Sequence, residues 1–267
     1  MSSYETVALQ AVEEAGERVR LAARRAKRIE YKSAVDLVTE TDREVEALVV
    51  SRLRAAFPDH LIVAEEAAAS GDLPRPGPDQ YAWYLDPLDG TTNFAHAVPH
   101  FAVSLALAQG PELLFAIVQD PLREETFVAW RGGGATLNGE PIHVSTTANL
   151  GQALLGTGFP YDRRERSEFY LRFFTTFLRQ ARDVRRIGAA ALDLCYVACG
   201  RFDAFWEFRL NPWDVAAGTL IVREAGGIVS DFHGAPIDLF GTQTLASNGH
   251  LQATLLDAFR TLLTSES

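Results

Sequence analysis

Between residues 81 and 130 four short apolar runs follow one another: YAWYLD, FAVSLALAQ, ELLFAIVQD and ETFVAW. The turn signals QGPE (109–112), within this stretch, and NGEP (138–141), just after it, punctuate the region. Runs of this length between such signals read as strands of a mostly antiparallel block. Helices are expected on both sides of it. Residues 4–30 place apolar residues at helical spacing with charges between them. A second helix is predicted over 43–56, capped by Thr41 or Asp42 and stopped by Pro58. LIVA (61–64) is a short buried strand that ends in Glu65-Glu66, and the Pro- and Gly-rich residues 70–80 form a loop.

The second half alternates. ALLGT, DVRRIG, FDAFWEF, GIVSD and TLASN read as strands. Helices are predicted over 163–181, 188–200, PWDVAAGTLIVREAGG (212–227) and 249–263. No repeat or low-complexity tract is visible. Strands and helices mix in both halves, so a layered α/β or α+β fold is expected.

A chain of 267 residues is long enough for a full core. Its net charge of -10 argues against a broad nucleic-acid footprint. No apolar run reaches the roughly 20 residues of a membrane span. The acidic, amphipathic N-terminus lacks a signal-peptide pattern, so the expected location is the cytoplasm. Cys195 and Cys199, four apart in an apolar stretch, read as reduced core packing. The six histidines are scattered with no helical zinc pair, so a bound metal would take oxygen ligands.

The chemistry concentrates at WYLDPLDGTTNF (83–94). A strand delivers Asp86, Pro87 interrupts its ladder, and Gly90 permits a sharp reversal. A helix starting after Gly90 would direct free backbone N–H groups outward, toward an anion. Carboxylates and an anion at one place repel unless a cation lies between them. That combination points to Mg²⁺ bridging Asp86 and Asp89 to a substrate phosphate. A plain acidic turn would use the same residue types. Glu65-Glu66, Asp214 at a helix start, and the segment KSAVDLVTETD with Lys32, Asp36 and Asp42 add acidic and basic groups. Each taken alone reads as a solvated turn or a helix-start residue.

DPLDGTTNF (86–94) followed by AHAVP, together with WDVAAG (213–218), resembles the paired signature of the inositol monophosphatase family of Mg²⁺-dependent, lithium-sensitive phosphatases. KSAVDLVTETD, AEE (64–66), RRIGAAALDLC (185–195) and FWEF (205–208) also match in order and spacing, so the resemblance covers roughly residues 5–260. It implies an αβαβα sandwich of the sugar-phosphatase type in a single catalytic domain, 1–267. An antiparallel-sheet region (1–150) would carry the metal site, and an α/β region (151–267) would complete it. A homodimer is also implied.

By position, the resemblance implies two to three Mg²⁺ ions. Glu65, Asp86 and the Leu88 carbonyl would hold the first, and Asp86, Asp89 and Asp214 the second. A third would sit near Glu65 through waters. Gly90 and Thr91 would give backbone N–H groups to the phosphate. Thr91, hydrogen-bonded to Asp42, would orient or deprotonate the attacking water. Lys32 and Asp36 would belong to a mobile loop. Glu207 and Ala190 would touch the sugar or inositol ring, with Asp89 and Asp214 in reach of its hydroxyls. Ala64 and Ala189 depart from residues common in the family without touching an implied metal ligand.

Inositol 1-phosphate is the expected substrate, cleaved by direct in-line attack of an activated water. No GxSxG and no Cys beside a plausible base suggests a covalent route. The alternatives are fructose 1,6-bisphosphate, histidinol phosphate, nucleotide bisphosphates or NADP on the same scaffold, or a role bound to the transcription machinery. Arg185 and Arg186 would meet a second phosphate or, as the simpler reading, form salt bridges at a dimer interface. Arg163, Arg164 and Arg166 read most simply as a solvated helix start, in a loop that could border the site.

Overall fold

The computed structural model describes residues 3–24, 29–31, 37–68 and 73–264. In chain order the first elements are α1 (Ser3–Ala23), β1 (Ile29–Tyr31), β2 (Leu37–Thr39), α2 (Glu40–Ala56), β3 (Leu61–Ala64), α3 (Glu65–Ala68), β4 (Tyr81–Asp89) and α4 (Thr91–Ala95). Five strands follow: β5 (Ala102–Gln109), β6 (Glu112–Asp120), β7 (Glu125–Trp130), β8 (Gly134–Leu137) and β9 (Glu140–Pro141). The second half contains β10 (Leu154–Thr157), α5 (Ser167–Gln180), β11 (Asp183–Arg185), α6 (Ala190–Ala198), β12 (Ala204–Phe208), α7 (Pro212–Glu224), β13 (Ile228–Ser230), β14 (Gln243–Ser247) and α8 (Gln252–Thr264).

β3 to β9 form one sheet in sequence order, antiparallel except for the parallel pair β3–β4. The second sheet runs β11-β10-β12-β14-β13, with β10 parallel to both of its neighbours. The period of two along each strand sorts residues onto two faces. Trp83, Leu85, Val103, Leu105 and Leu107 join a core with Val12 and Val19 of α1 and Val45 and Val49 of α2. Ala82, Ala102, Ala106, Ala108 and Ala116 face the other way, onto α6 and α7.

Those alanines leave room for the helix layer to sit close to the sheet. Within the layer the approach is close as well: a Cβ added at Gly218 of α7 would stand 2.5 Å from Leu194 Cβ of α6. Both helices also pack on the smaller sheet. Beyond it, Phe173 and Phe177 of α5 and Leu255 and Phe259 of α8 close a third core with Trp206 and Leu245. The layers are therefore α1/α2, seven strands, α6/α7, five strands and α5/α8. This is the αβαβα sandwich implied by the sequence.

Several boundaries differ from the sequence reading. The first helix ends at Ala23 instead of residue 30, and residues 29–31 are a strand paired with 37–39. The second helix starts at Glu40, with Thr39 as its cap in place of Thr41 or Asp42. Asp42 occupies the third helical position and reaches back to Thr39. The fifth helix begins at Ser167 instead of residue 163, because 161–166 form turns. Lys32 and Asp36 lie outside the described residues.

Candidate active site

The parallel pairing of β3 and β4 puts Ala64 opposite Leu85. The next residues along each strand, Glu65 and Asp86, therefore emerge side by side at the same sheet end. Pro87 cannot donate to the ladder, and the pairing of β4 with β5 shifts between Asp86 and Asp89. That break carries Asp89 toward the middle helix layer. Its Oδ1 accepts the Ala190 N–H at 3.1 Å and its Oδ2 accepts the Ala191 N–H at 2.8 Å, at the start of α6. The carboxylate thereby satisfies free amides of a helix terminus.

Gly90 caps α4 with φ 91° and ψ 35°, a left-handed conformation that a side chain would strain. Thr91 follows, and its hydroxyl lies 3.0 Å from both Asp42 Oδ1 and the Leu88 carbonyl. It has one proton for two acceptors. Directing that proton to Asp42 leaves the Leu88 carbonyl lone pairs available. Asp42 is fixed by Thr39, whose N–H donates to Oδ2 at 2.9 Å and whose hydroxyl donates to the same oxygen. Burial raises the Asp42 carboxyl above its ordinary range.

Asp214 stands in the first turn of α7, after Pro212, and accepts the Asn211 N–H at 2.7 Å. Glu207 comes from β12, on the smaller sheet. Glu65, Asp86, Asp89 and Asp214 line one cavity of about 290 Å³, together with Leu88, Gly90, Thr91, Ala190 and Glu207. The elements that meet there belong to both sheets and the helix layer between them.

The electrostatics follow from that convergence. Burial, then Glu65, Asp89 and Asp214, push Asp86 well above the carboxylate range. Burial and Asp214 push Asp89 up to about 8. Glu207 is likewise raised by burial, an effect the positive charge of Arg186 opposes. Mutually repelling oxygen donors around one cavity suit a hard divalent cation and no soft metal. Among the described residues, however, no three acidic, histidine or cysteine side chains gather tightly enough to enclose one ion. Asp86, Asp89 and Asp214 each lean on backbone N–H groups instead. The donor chemistry fits; the side chains are held apart.

The arginines have different surroundings. Arg185 pairs with Asp183 at 2.5 Å, while Arg186 lines the cavity. Arg163 lines it too, whereas Arg166 stacks on Phe169 at 4.5 Å.

Two contributors escaped the sequence reading. Asn93 Nδ2 donates to the carbonyls of His100 and Ile187, both at 2.9 Å, and so fixes the turn that enters α6. Gly158 abuts Glu207: a Cβ there would fall 2.0 Å from Oε2. A glycine just after a predicted strand, in ALLGTG, was the available signal for that close approach.

Comparison with known proteins agrees with this frame. The inositol monophosphatase family matches residues 1–264. The protein called Nus factor SuhB of Pseudomonas aeruginosa is 47% identical over 266 residues, spanning 97% of this chain and 94% of its own. An inositol-1-monophosphatase of Synechocystis is 47% identical over 225 residues, 84% of this chain and 77% of its own. The solved inositol monophosphatase from Anabaena superposes with a TM-score of 0.86 at 37% identity, covering 97% of this chain and 96% of that one. The Thermotoga maritima IMPase gives 0.88 at 34% identity, with both chains covered in full.

The protein is thus a phosphoric monoester hydrolase by class. The chain belongs to the inositol monophosphatase family, whose members are generally metal-dependent.

Proposed function

We propose that this chain hydrolyses inositol 1-phosphate to inositol and phosphate, with Mg²⁺, by direct in-line attack of water. The observation that carries this reading is the single cavity shared by Glu65, Asp86, Asp89, Asp214 and the Gly90-Thr91 turn. Glu65, Asp86, Asp89, Asp214 and the Leu88 carbonyl are the groups that would hold two to three ions. Bound there, Mg²⁺ supplies charge neutralisation for the phosphate, the leaving oxygen and the attacking water.

The chain's own part is positioning and proton handling. Gly90 and Thr91 offer backbone N–H groups to the phosphate. A water oxygen bonds to phosphorus as the ester P–O bond opposite it breaks. Its proton passes to the Thr91 hydroxyl, whose own proton is directed at Asp42. Burial raises the proton affinity of Asp42, which suits it to the role. The leaving inositol oxygen takes a proton from solvent. Glu207 accepts hydrogen bonds from ring hydroxyls, and Ala190 packs against the ring.

Inhibition by Li⁺, a homodimer and a cytoplasmic location belong to the same reading. Among the described residues no helix is long and apolar enough to cross a membrane. Asp89→Asn and Asp214→Asn are expected to lower turnover at least about a hundredfold with the fold retained by circular dichroism. Purified variants with wild-type activity would remove both residues from the assignment.

A second reading is favoured by the name Nus factor SuhB carried by the Pseudomonas relative. It is a role bound to the transcription machinery. Recovery of RNA polymerase in a pulldown that survives Asp89→Asn supports it. Loss of binding together with activity in that variant counts against a separate role.

A further inference from the structure

One wall of the active-site cavity is a loop, residues 158–166, between β10 and α5. Phe159, Pro160, Tyr161 and Arg163 line the cavity, whereas Asp162 between them does not. Its carboxylate instead joins two other elements. Oδ1 accepts the hydroxyl of Tyr170, in the first turn of α5, at 2.7 Å. Oδ2 accepts Arg209 Nη1, just past β12, at 2.8 Å.

The backbone of the loop is wound around the same residue. The Asp162 carbonyl accepts the Glu165 and Arg166 N–H groups at 3.2 and 3.1 Å, and the Pro160 carbonyl accepts the Arg163 N–H at 3.1 Å. Where the loop begins, the Thr157 hydroxyl donates to the Trp206 carbonyl of β12 at 2.9 Å. The next residue, Gly158, abuts the Glu207 carboxylate. A displacement of the loop therefore acts directly on Glu207.

Arg209 supplies an independent observation. Its φ of 57° lies in the left-handed region, where a side chain is strained. Its N–H donates to the Thr242 carbonyl at 2.8 Å, and Asn211, two residues on, caps α7. The chain thus leaves the strand that carries Glu207 and enters the helix that carries Asp214 through one strained residue. Glycine would fit this turn without strain, but it could not reach Asp162. Strain of this kind persists where a side chain has a task. The Arg209 side chain is 54% exposed, so its ion pair alone contributes little. The buried Tyr170 gives the same carboxylate a second, fixed partner.

We propose that Asp162 is a positioning residue for substrate: through Tyr170 and Arg209 it pins the 158–166 loop to the turn between β12 and α7, and so holds Gly158 against Glu207. It touches no substrate itself. This rests on the phosphomonoesterase reading and adds a residue that acts through Glu207.

The test measures kcat and KM for inositol 1-phosphate and for an aryl phosphate in wild type, Asp162→Ala, Asp162→Asn, Arg209→Gly and the double variant Asp162→Ala/Arg209→Gly, with thermal unfolding of each. KM for inositol 1-phosphate is expected to rise about tenfold in Asp162→Ala and in Arg209→Gly, with kcat nearly unchanged and the aryl phosphate much less affected. Asp162→Asn keeps the shape and one acceptor oxygen, and should recover part of the loss. Arg209→Gly relieves the left-handed strain, so its thermal midpoint should match or exceed that of wild type while KM rises. The double variant should be no worse than the worse single one, because both changes break one link. An unchanged KM in Asp162→Ala and Arg209→Gly, equal changes for both substrates, or additive effects in the double variant overturns the pin and spares the phosphomonoesterase reading. A wild type that cleaves neither substrate overturns that reading and the pin with it.

Discussion

Replacing Gly158 by Ala tests the placement of Glu207 with one methyl group. The new Cβ would fall 2.0 Å from Glu207 Oε2 and 2.2 Å from Cδ and Oε1. Cβ atoms essentially never approach a neighbour within 3.0 Å, so the carboxylate must retreat by about 1 Å or more. Gly158 lacks a positive φ, so alanine costs little in backbone strain there. The displaced atoms are the end of a side chain, which can move without unfolding β12. A shift of about 1 Å in a substrate-positioning group can cost up to about a hundredfold. We expect KM for inositol 1-phosphate to rise about tenfold or more in Gly158→Ala, with a thermal midpoint near wild type. An aryl phosphate, which has no ring hydroxyls for Glu207 to hold, should be far less affected. The effect should also disappear in a Glu207→Ala background, because the two changes act through one contact. Steady-state kinetics of the four proteins on both substrates decides it. Equal changes for both substrates, or additive effects in the double variant, would refute the reasoning.

Two further outcomes follow from the packing and the charges. Gly218→Ala places a Cβ 2.5 Å from Leu194 Cβ and Cδ1 between two buried helices, and should cost about 1–3 kcal/mol, read by urea denaturation. For protein stripped of metal with EDTA, Asp89 has an ordinary value of 3.8 and a folded value of about 8. The folded state then holds the proton more tightly. Its contribution to stability is complete below about 4 and is lost as pH rises through about 8. The thermal midpoint should fall across that window, Mg²⁺ should oppose the fall, and Asp89→Asn should flatten it; a midpoint rising with pH in EDTA would contradict the assignment.

Much of the site was legible because it is local. Asp86, Pro87, Asp89, Gly90 and Thr91 form one turn, and Pro and Gly restrict what a backbone can do there. Apolar runs between turn signals likewise showed the strands β4 to β7, since each face of that sheet is buried against something different. Long-range closure was not legible. Asp89 meets Ala190 across 101 residues, and Glu207 meets Gly158 through the second sheet. The first helix was read too long because nothing local announces the pairing of 29–31 with 37–39, a contact between separate segments.

The alanine face of the larger sheet has a bearing on synthesis. All seven of its strands precede α6 and α7 in the chain. During translation this face must wait for its cover until α7 leaves the ribosome, more than 70 residues after β9. Val63, Tyr84, Leu113, Val118 and Phe127 also lie on it, but Ala82, Ala102, Ala106, Ala108 and Ala116 expose less hydrocarbon in that interval than leucine or valine at the same five positions would. The small side chains that let the helices sit close in the finished protein also keep the nascent half less adhesive.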